Sequence, residues 1–489
     1  MTDFHEIQRP DPGRARWLAL FILCTGFLMI VVDGTIVNVA LPSIQQDLGF
    51  SQSGLAWVVN AYLIAFAGLL LLSGRLGDLV GRKQIFMSGL AVFTGASILC
   101  GLSLNQPMLI AARFVQGIGG ALSSAVILGM IVTMFTEPGE RARAMGIFAF
   151  IASAGASVGL LAGGLITQAV SWHWIFFVNV PIGIATALLA ARFVEADLAL
   201  GLGEGADWLG ALLVTTALML GVYGIVESNV YGLGSVRTLG FVSVASLLLL
   251  WFVIRQARIR NPILPLRLFR SRTLSVSNVI QGLMVVGMFG MFFMGSLDFE
   301  RVLHYGPLAI GLAFMPVAIT MGGLSADGTA RLIMRFGAQP VLVAGQVLIA
   351  AALILLVRGP VHSDYVRDLV LPMILMGIGG GLSFPALAML AMADATPADS
   401  GLASGLLNTT AQVGGALGIA VLATISTSRT GILLSAGVSP VSALSAGYHL
   451  AWAVGAGVVL VSLVFAITLL RPGRPAAVEA SIENVEACA

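Results

Sequence analysis

Charge is scarce in this chain. Asp, Glu, Lys and Arg together make up 10% of its 489 residues, and the single lysine, Lys83, stands against twenty-four arginines. With 58% hydrophobic residues and a mean hydropathy of +0.99, the chain carries more apolar surface than a water-soluble fold could hide in its core. The formal net charge of +2 excludes nucleic acid as an expected partner. Cysteine is equally rare: Cys24 and Cys100 lie in apolar stretches and Cys488 near the C-terminus, so neither a disulfide framework nor a metal-ligand spacing is present. The phosphate-binding pattern GxxxxGK[ST] and any soluble catalytic domain are missing, which excludes transport driven by ATP hydrolysis within this chain. Neither enzymatic activity nor a cofactor is expected. No small-residue cleavage site follows the first apolar run, so that run is expected to be retained as a helix.

What is present is a series of apolar runs of about 20 residues along the whole length, the signature of an all-α integral membrane protein rather than a barrel. Fourteen spans are expected, at about 17–40, 52–72, 84–104, 107–134, 142–168, 173–192, 208–226, 238–256, 273–297, 307–329, 338–358, 368–391, 400–426 and 447–470. An even number puts both termini on one side. With the N-terminus in the cytoplasm, nineteen of the 25 Lys and Arg fall inside, five outside and one, Arg113, within the membrane, so both termini are expected to be cytoplasmic.

The stretch GRLGDLVGRK, Gly74 to Lys83, is a short charged run between two of these spans, and the spacing of Gly74 to Asp78 returns downstream as Gly323 to Asp327, followed by Arg331 and Arg335. A second echo joins the loops entering spans 5 and 13: Pro138, Glu140 and Gly146 match Pro397, Asp399 and Gly405 in their offsets. The echoes imply a duplicated six-helix unit with two inserted helices. The expected division is a bundle at 1–192, two inserted helices with a basic cytoplasmic linker at 193–270, a second bundle at 271–471 and a tail at 472–489. Repeats of this kind, with a cavity between them at mid-membrane, are how alternating-access transporters are built.

Two charges lie deep in spans. Asp33 is about 12 Å and Arg113 about 9 Å from the outer ends of spans 1 and 4, so they share a depth. An isolated charge there is costly, and each must face a cavity or find a partner. A carboxyl that can take a proton would make the simplest switch; a permanent structural ion pair is the other reading.

Four motifs carry a resemblance. Asp33 to Pro42 reads DGTIVNVALP, with Thr35 and Asn38 on the same helix; RFVQGIGGA carries Arg113 and Gln116; Gly155, Gly159, Gly163 and Gly164 form a small-residue face; and Ser171 to Gly183 reads SWHWIFFVNVPIG. Together with GRLGDLVGRK, these motifs resemble, in order and across nearly the whole chain, the major facilitator superfamily, in its drug:proton antiporter branch with fourteen transmembrane helices. The resemblance implies proton coupling through Arg113, with Asp33 as the principal acid and Gln116 tuning it, in exchange for amphipathic drugs or antibiotics. On that reading Asp33 is reachable by water in the gap between the two bundles. The glycine face is similar to the family's GxxxGPxxGG motif, with Leu160 in place of its proline; close helix packing alone also explains it.

In the second half, Met284, Met288, Met291 and Met294 with Phe289, Phe292 and Phe293 suit either a soft pocket or a lipid face. Met288, Phe292, Asn408 and Gln412 are candidate cavity residues with Asn38, as are Asp298 and Glu300, which would attract cations or relay protons, or else remain solvated loop charges. A cytoplasmic gate is expected around Gly74, Asp78, Arg82 and Lys83, with Asp394 and Asp399 facing the first repeat and Asp327 and Arg331 acting as pseudo-symmetric counterparts. The expected partners are protons, membrane lipid and an amphipathic small molecule, with the chain acting as a monomer. Export of one native metabolite or lipid, import by symport, and a non-transporting membrane sensor are the competing readings.

Overall fold

A computed structural model describes residues 12–135, 137–195, 207–232, 234–259, 262–325, 328–361, 363–393 and 400–470. Apolar runs in a solvent that offers no hydrogen bonds must satisfy their backbone internally, and among the described residues the regular structure is helical throughout. The first half comprises α1 (Pro12–Leu48), α2 (Gln52–Val80), α3 (Arg82–Gly101), α4 (Gln106–Met134), α5 (Pro138–Ala169) and a broken helix made of α6 (Trp174–Phe177) and α7 (Asn179–Phe193). Next come α8 (Trp208–Tyr231) and α9 (Val236–Arg258). The second half holds α10 (Arg272–Arg301), α11 (Pro307–Ser325), α12 (Gly328–Phe336), α13 (Ala338–Arg358), α14 (Val370–Met392), α15 (Ser400–Ser435) and α16 (Pro440–Thr468). Thirteen helices among the described residues are long and apolar enough to cross a membrane. In α5 the described apolar stretch is the shorter Val158–Ala169.

Short polar side chains set where helices begin. Ser51, Asn105, Asp207, Ser235, Ser271 and Ser439 each accept a hydrogen bond from a backbone N–H of the first turn that follows, satisfying a donor the helix cannot. The turn inside GRLGDLVGRK is made by Gly81, whose φ of 111° favours glycine; Gly337, at φ 88°, does the same before α13. The last turns of α15 extend nine residues past the expected end of its span. There the Thr427 and Ser435 hydroxyls donate to carbonyls four residues back, so these polar side chains are satisfied on the helix itself. The amphipathic α12, at positions expected to be loop, was not anticipated.

Helices α1 to α7 pack mainly on one another, as do α10 to α16; α5 meets α11 and α2 meets α15 across the middle. The α8–α9 pair lies on the side, with α8 against α2 and α15. The glycine face has a direct consequence for this packing. A side chain at Gly155, Gly159 or Gly163 would collide with Leu28 and Val31, with Val32 and Thr35, or with Ile36 of α1, while one at Gly164 would meet the backbone of Pro307 and Leu308 on α11. Gly311 of α11 in turn lies against the carbonyl of Leu160, so α5 is held by α1 on one side and α11 on the other.

Candidate functional site

A fully buried polar cluster is built from five helices, α1, α2, α3, α4 and α7. Asp33 of α1 receives the Arg113 guanidinium of α4 at 2.6 Å on one carboxylate oxygen, and the amides of Gln116 (2.8 Å) and Asn179 (2.8 Å) on the other. Arg113 and Gln116 lie three residues apart, hence on one face of α4, and the guanidinium also donates to Gln116 Oε1 (2.6 Å) and to the carbonyl of Val58 on α2 (3.0 Å). Gln116 passes the network on to Ser97 Oγ of α3 at 2.8 Å. Asp33, Gln116 and Asn179 are fully enclosed and Arg113 is 1% exposed. Charges this far from water persist only when paired and hydrogen-bonded, a condition this cluster meets. Tyr62 of α2 places its ring 4.4 Å from the guanidinium carbon, and Phe176 lies at 5.8 Å.

Beside the cluster lies a cavity of about 1510 Å³ between the two halves. Of the expected cavity residues, Asn38, Met288, Phe292, Asn408 and Gln412 line it, together with Phe289. The other sulfur and ring side chains of α10, Met284, Met291, Phe293 and Met294, are buried in protein contacts rather than facing lipid. Gly74, Arg75, Asp78 and Arg82 line its mouth with Arg267, so the cavity opens on the face that carries these arginines. The proline-rich linker was expected merely to connect. Instead Pro262, Pro265 and Leu266 line the mouth, and the N–H of Leu264 is pinned to Gln256 Oε1 at 3.1 Å.

The opposite face is shut. Ser296 of α10 donates to the carbonyl of Asn38, Gln46 of α1 donates to Glu300 at 2.6 Å, and the N–H of Leu308 donates to Gln168 Oε1 of α5 at 3.2 Å.

Two expectations are corrected. Asp298 and Glu300 do not line the cavity. At 3.6 residues per turn Asp298 points roughly 120° away from the Phe292 direction, into protein, where it is 6% exposed, and Glu300 is part of the seal itself, engaged with Gln46. Nor does Asp33 border the cavity: its neighbours Gly34 and Tyr62 do, while three donors close over the carboxylate itself. In the gate, Arg82 pairs with Asp78 four residues earlier at 3.0 Å and donates to the carbonyl of Gly129, while Lys83 donates to the carbonyl of Ala191 at 2.9 Å. Arg331 is exposed on α12, and Asp327, Asp394 and Asp399 lie outside the described residues.

Sequence reasoning missed Asn179 and the Gln46–Glu300 bridge. Asn179 did leave a signal: it is a lone amide in an apolar run two residues before Pro181, where the broken helix turns it inward.

A buried carboxylate–guanidinium pair beside a chamber shut at one end is the architecture of a carrier. Residues 23–419 match the Major Facilitator Superfamily. The chain belongs to this superfamily. It is 36% identical to the puromycin resistance protein pur8 of Streptomyces alboniger, over 98% of this chain and 95% of that one, and 37% identical to the cephamycin export protein CmcT of Amycolatopsis lactamdurans, over 84% and 85%. Among solved structures it superposes on the nucleoside transporter NupG with a TM-score of 0.66 at 12% identity, covering 93% of this chain and all of that one. An auto-inhibited peptide transporter of the POT family gives 0.67 at 15%, covering 94% and 98%. This superfamily member is therefore a multi-pass membrane transporter rather than an enzyme.

Proposed function

We propose that this major facilitator protein is a proton-coupled efflux antiporter that exports amphipathic small molecules, antibiotics among them, from a bacterial cytoplasm across the inner membrane. The observation that carries the reading is the enclosed Asp33–Arg113–Gln116–Asn179 cluster seated directly behind the cavity wall. The names of its relatives, a puromycin resistance protein and a cephamycin exporter, support the direction and the class of cargo.

In this proposal α5 is the fourteenth span, both termini are cytoplasmic, and the two halves are six-helix bundles with α8 and α9 inserted between them. The arginine-lined mouth then faces the cytoplasm, in keeping with the bias of basic residues, and the conformation is inward-facing. Cargo enters from the cytoplasm. Outward opening parts α1 from α10 and α5 from α11, and Asp33 takes a proton from outside. The protonated acid releases its hold on Arg113, favours cargo release and permits the return. In the proposed cycle the proton leaves towards the cytoplasm in the inward state. Tyr62 and Gly34 separate the acid from the cavity, so that departure requires them to move.

The test is transport in proteoliposomes holding a fluorescent amphiphile. An imposed pH gradient should drive dye against its concentration gradient, with proton counterflow, and a protonophore should abolish both. Dye movement indifferent to the proton gradient would refute the coupling.

A further inference from the structure

The chamber's substrate class can be narrowed, on the reading that this cavity carries the cargo. Its wall is apolar and aromatic, from Phe27, Phe66 and Phe148 on one half to Met288, Phe289 and Phe292 on the other. Polar groups on it are neutral: Asn38, Ser124, Asn408 and Gln412. The charged side chains among the described lining residues are Arg75, Asp78, Arg82 and Arg267, all at the mouth, where Asp78 is matched by Arg82 at 3.0 Å. The acids that could have faced a cation inside are absent from the wall, because Asp33 is closed over by three donors and Asp298 and Glu300 belong to the sealed end. Nor can undescribed side chains of the two helices concerned supply one, since the sequence holds no Asp, Glu, Lys, Arg or His at positions 144–169 or 400–428.

We infer that the chamber selects uncharged, drug-sized amphiphiles with a ring-rich apolar body and hydroxyl or amide donors, and discriminates against permanent lipophilic cations. A cation moving inward leaves water, passes an arginine-bearing mouth and meets no countercharge at the wall; its desolvation is uncompensated. An anion is favoured at the mouth and uncompensated further in, so it ranks between the two. An uncharged molecule loses little on entry and gains the soft Met and Phe surface. Its donors also meet neutral polar side chains on the wall, the amides of Asn38, Asn408 and Gln412 among them. These amides are the features that give the wall a preference for hydrogen-bonding molecules over plain hydrocarbon.

The experiment uses one boron-dipyrromethene scaffold ending in a hydroxyl, a carboxylate or a trimethylammonium group. Binding to the purified full chain in detergent is read by fluorescence polarisation, and transport is read in proteoliposomes. The hydroxyl dye should bind at least tenfold more tightly than the trimethylammonium dye, with the carboxylate dye between them. Gln412→Glu, which places a carboxylate on the wall, should raise affinity for the trimethylammonium dye about tenfold while weakening the carboxylate dye. A trimethylammonium dye bound as tightly as the hydroxyl dye by the unaltered protein overturns the inference, whatever the fate of the variant. Binding in the expected order without transport of any dye would leave this inference standing and remove the efflux reading instead.

Discussion

Replacing Asp33 with Asn exchanges one carboxylate oxygen for an NH₂ group at a site where both oxygens accept hydrogen bonds. The amide oxygen can take over the contact with Arg113 Nη1, now 2.6 Å from a charged oxygen, but its NH₂ group must then face Gln116 Nε2 and Asn179 Nδ2, both donors at 2.8 Å. Turning Gln116 round would not relieve this, because its Oε1 already accepts from Arg113 and its Nε2 already donates to Ser97. At least one donor is left facing a donor, and Arg113, 1% exposed, is left without a counterion. Removing one member of a buried pair costs about 3–5 kcal/mol, and the surviving neutral hydrogen bond recovers about 1 kcal/mol, so a net loss of about 3 kcal/mol is expected. That loss should appear as a lower thermal midpoint in detergent. The functional consequence is separate and sharper. A pH gradient of one unit stores about 1.4 kcal/mol per proton, enough for about a tenfold dye ratio in a one-for-one electroneutral exchange. Asp33→Asn should bring the ratio in gradient-driven proteoliposomes to unity, while dye exchange without a gradient continues and certifies the fold. A variant that still holds half the unaltered protein's dye ratio would refute the assignment of Asp33 as the coupling acid.

Tyr62→Ala removes the ring that stands between the cavity and Arg113, so it should produce proton leak in cargo-free proteoliposomes, on the order of tenfold above the unaltered protein, whereas Tyr62→Phe keeps the ring and should stay tight. Glu300→Leu deletes the acceptor for Gln46 across α1 and α10 and should cost the closed outer end about 1 kcal/mol, a roughly fivefold shift toward outward-open molecules in spin-label distance measurements; Glu300→Gln should shift it less. Asp207 caps α8 and receives Arg255 at 2.8 Å and Gln256 at 2.6 Å. Burial pushes its carboxyl upward, but the hydrogen bonds from Gln256, the Gly210 N–H and Arg255 outweigh this and leave it below the ordinary carboxylate value. An acid depressed in the folded state stabilises the fold above the unfolded pKa of about 4 and loses that contribution as pH falls through the folded value. Thermal midpoints in detergent should therefore drop below about pH 4 in the unaltered protein and depend less on pH in Asp207→Ala, which should already be about 3 kcal/mol less stable at pH 7.

The parts of this molecule that could be read in advance are those where the membrane leaves one physical solution. Runs near 20 apolar residues must be helices, and two opposite charges at equal depth must be satisfied, which is why the helical class and the Asp33–Arg113 neighbourhood were legible. Small residues at intervals of four likewise announce a close contact, and Gly155, Gly159 and Gly163 make theirs with α1. What escaped depended on rotation about a helix axis. Hydropathy gives the depth of Asp298 but not its direction, and a step of about 100° per residue separates a cavity acid from one enclosed in protein; Met288 and Phe292 fall on the chamber stripe while Met284, Met291 and Met294 do not. Asn179 escaped for a related reason, because an uncharged amide incurs less cost in an apolar run than a charge does and so demands no partner that sequence alone can name.

The enclosure of Asp33 has a mechanistic consequence that a water-reachable acid would not have. If the carboxylate lay open to the inward cavity, protons could exchange with the cytoplasm whether or not cargo was present, and the gradient would dissipate. In the proposed mechanism the acid, behind Tyr62 and Gly34, would exchange only when the wall that cargo touches is displaced, and that wall is shared: Tyr62 borders the cavity on one side and Arg113 on the other. In the proposed mechanism, occupancy of the chamber and protonation of the cluster would thereby be linked through one ring rather than through direct competition of cargo for the carboxylate. The proposed linkage would also let a chamber with no charged side chain among the described residues of its inner wall be proton-driven. On this proposal the charge that responds to the gradient sits one residue layer behind the surface the cargo meets, so uncharged molecules are not penalised by an exposed carboxylate, and coupling would be set by how far they push Tyr62 from Arg113.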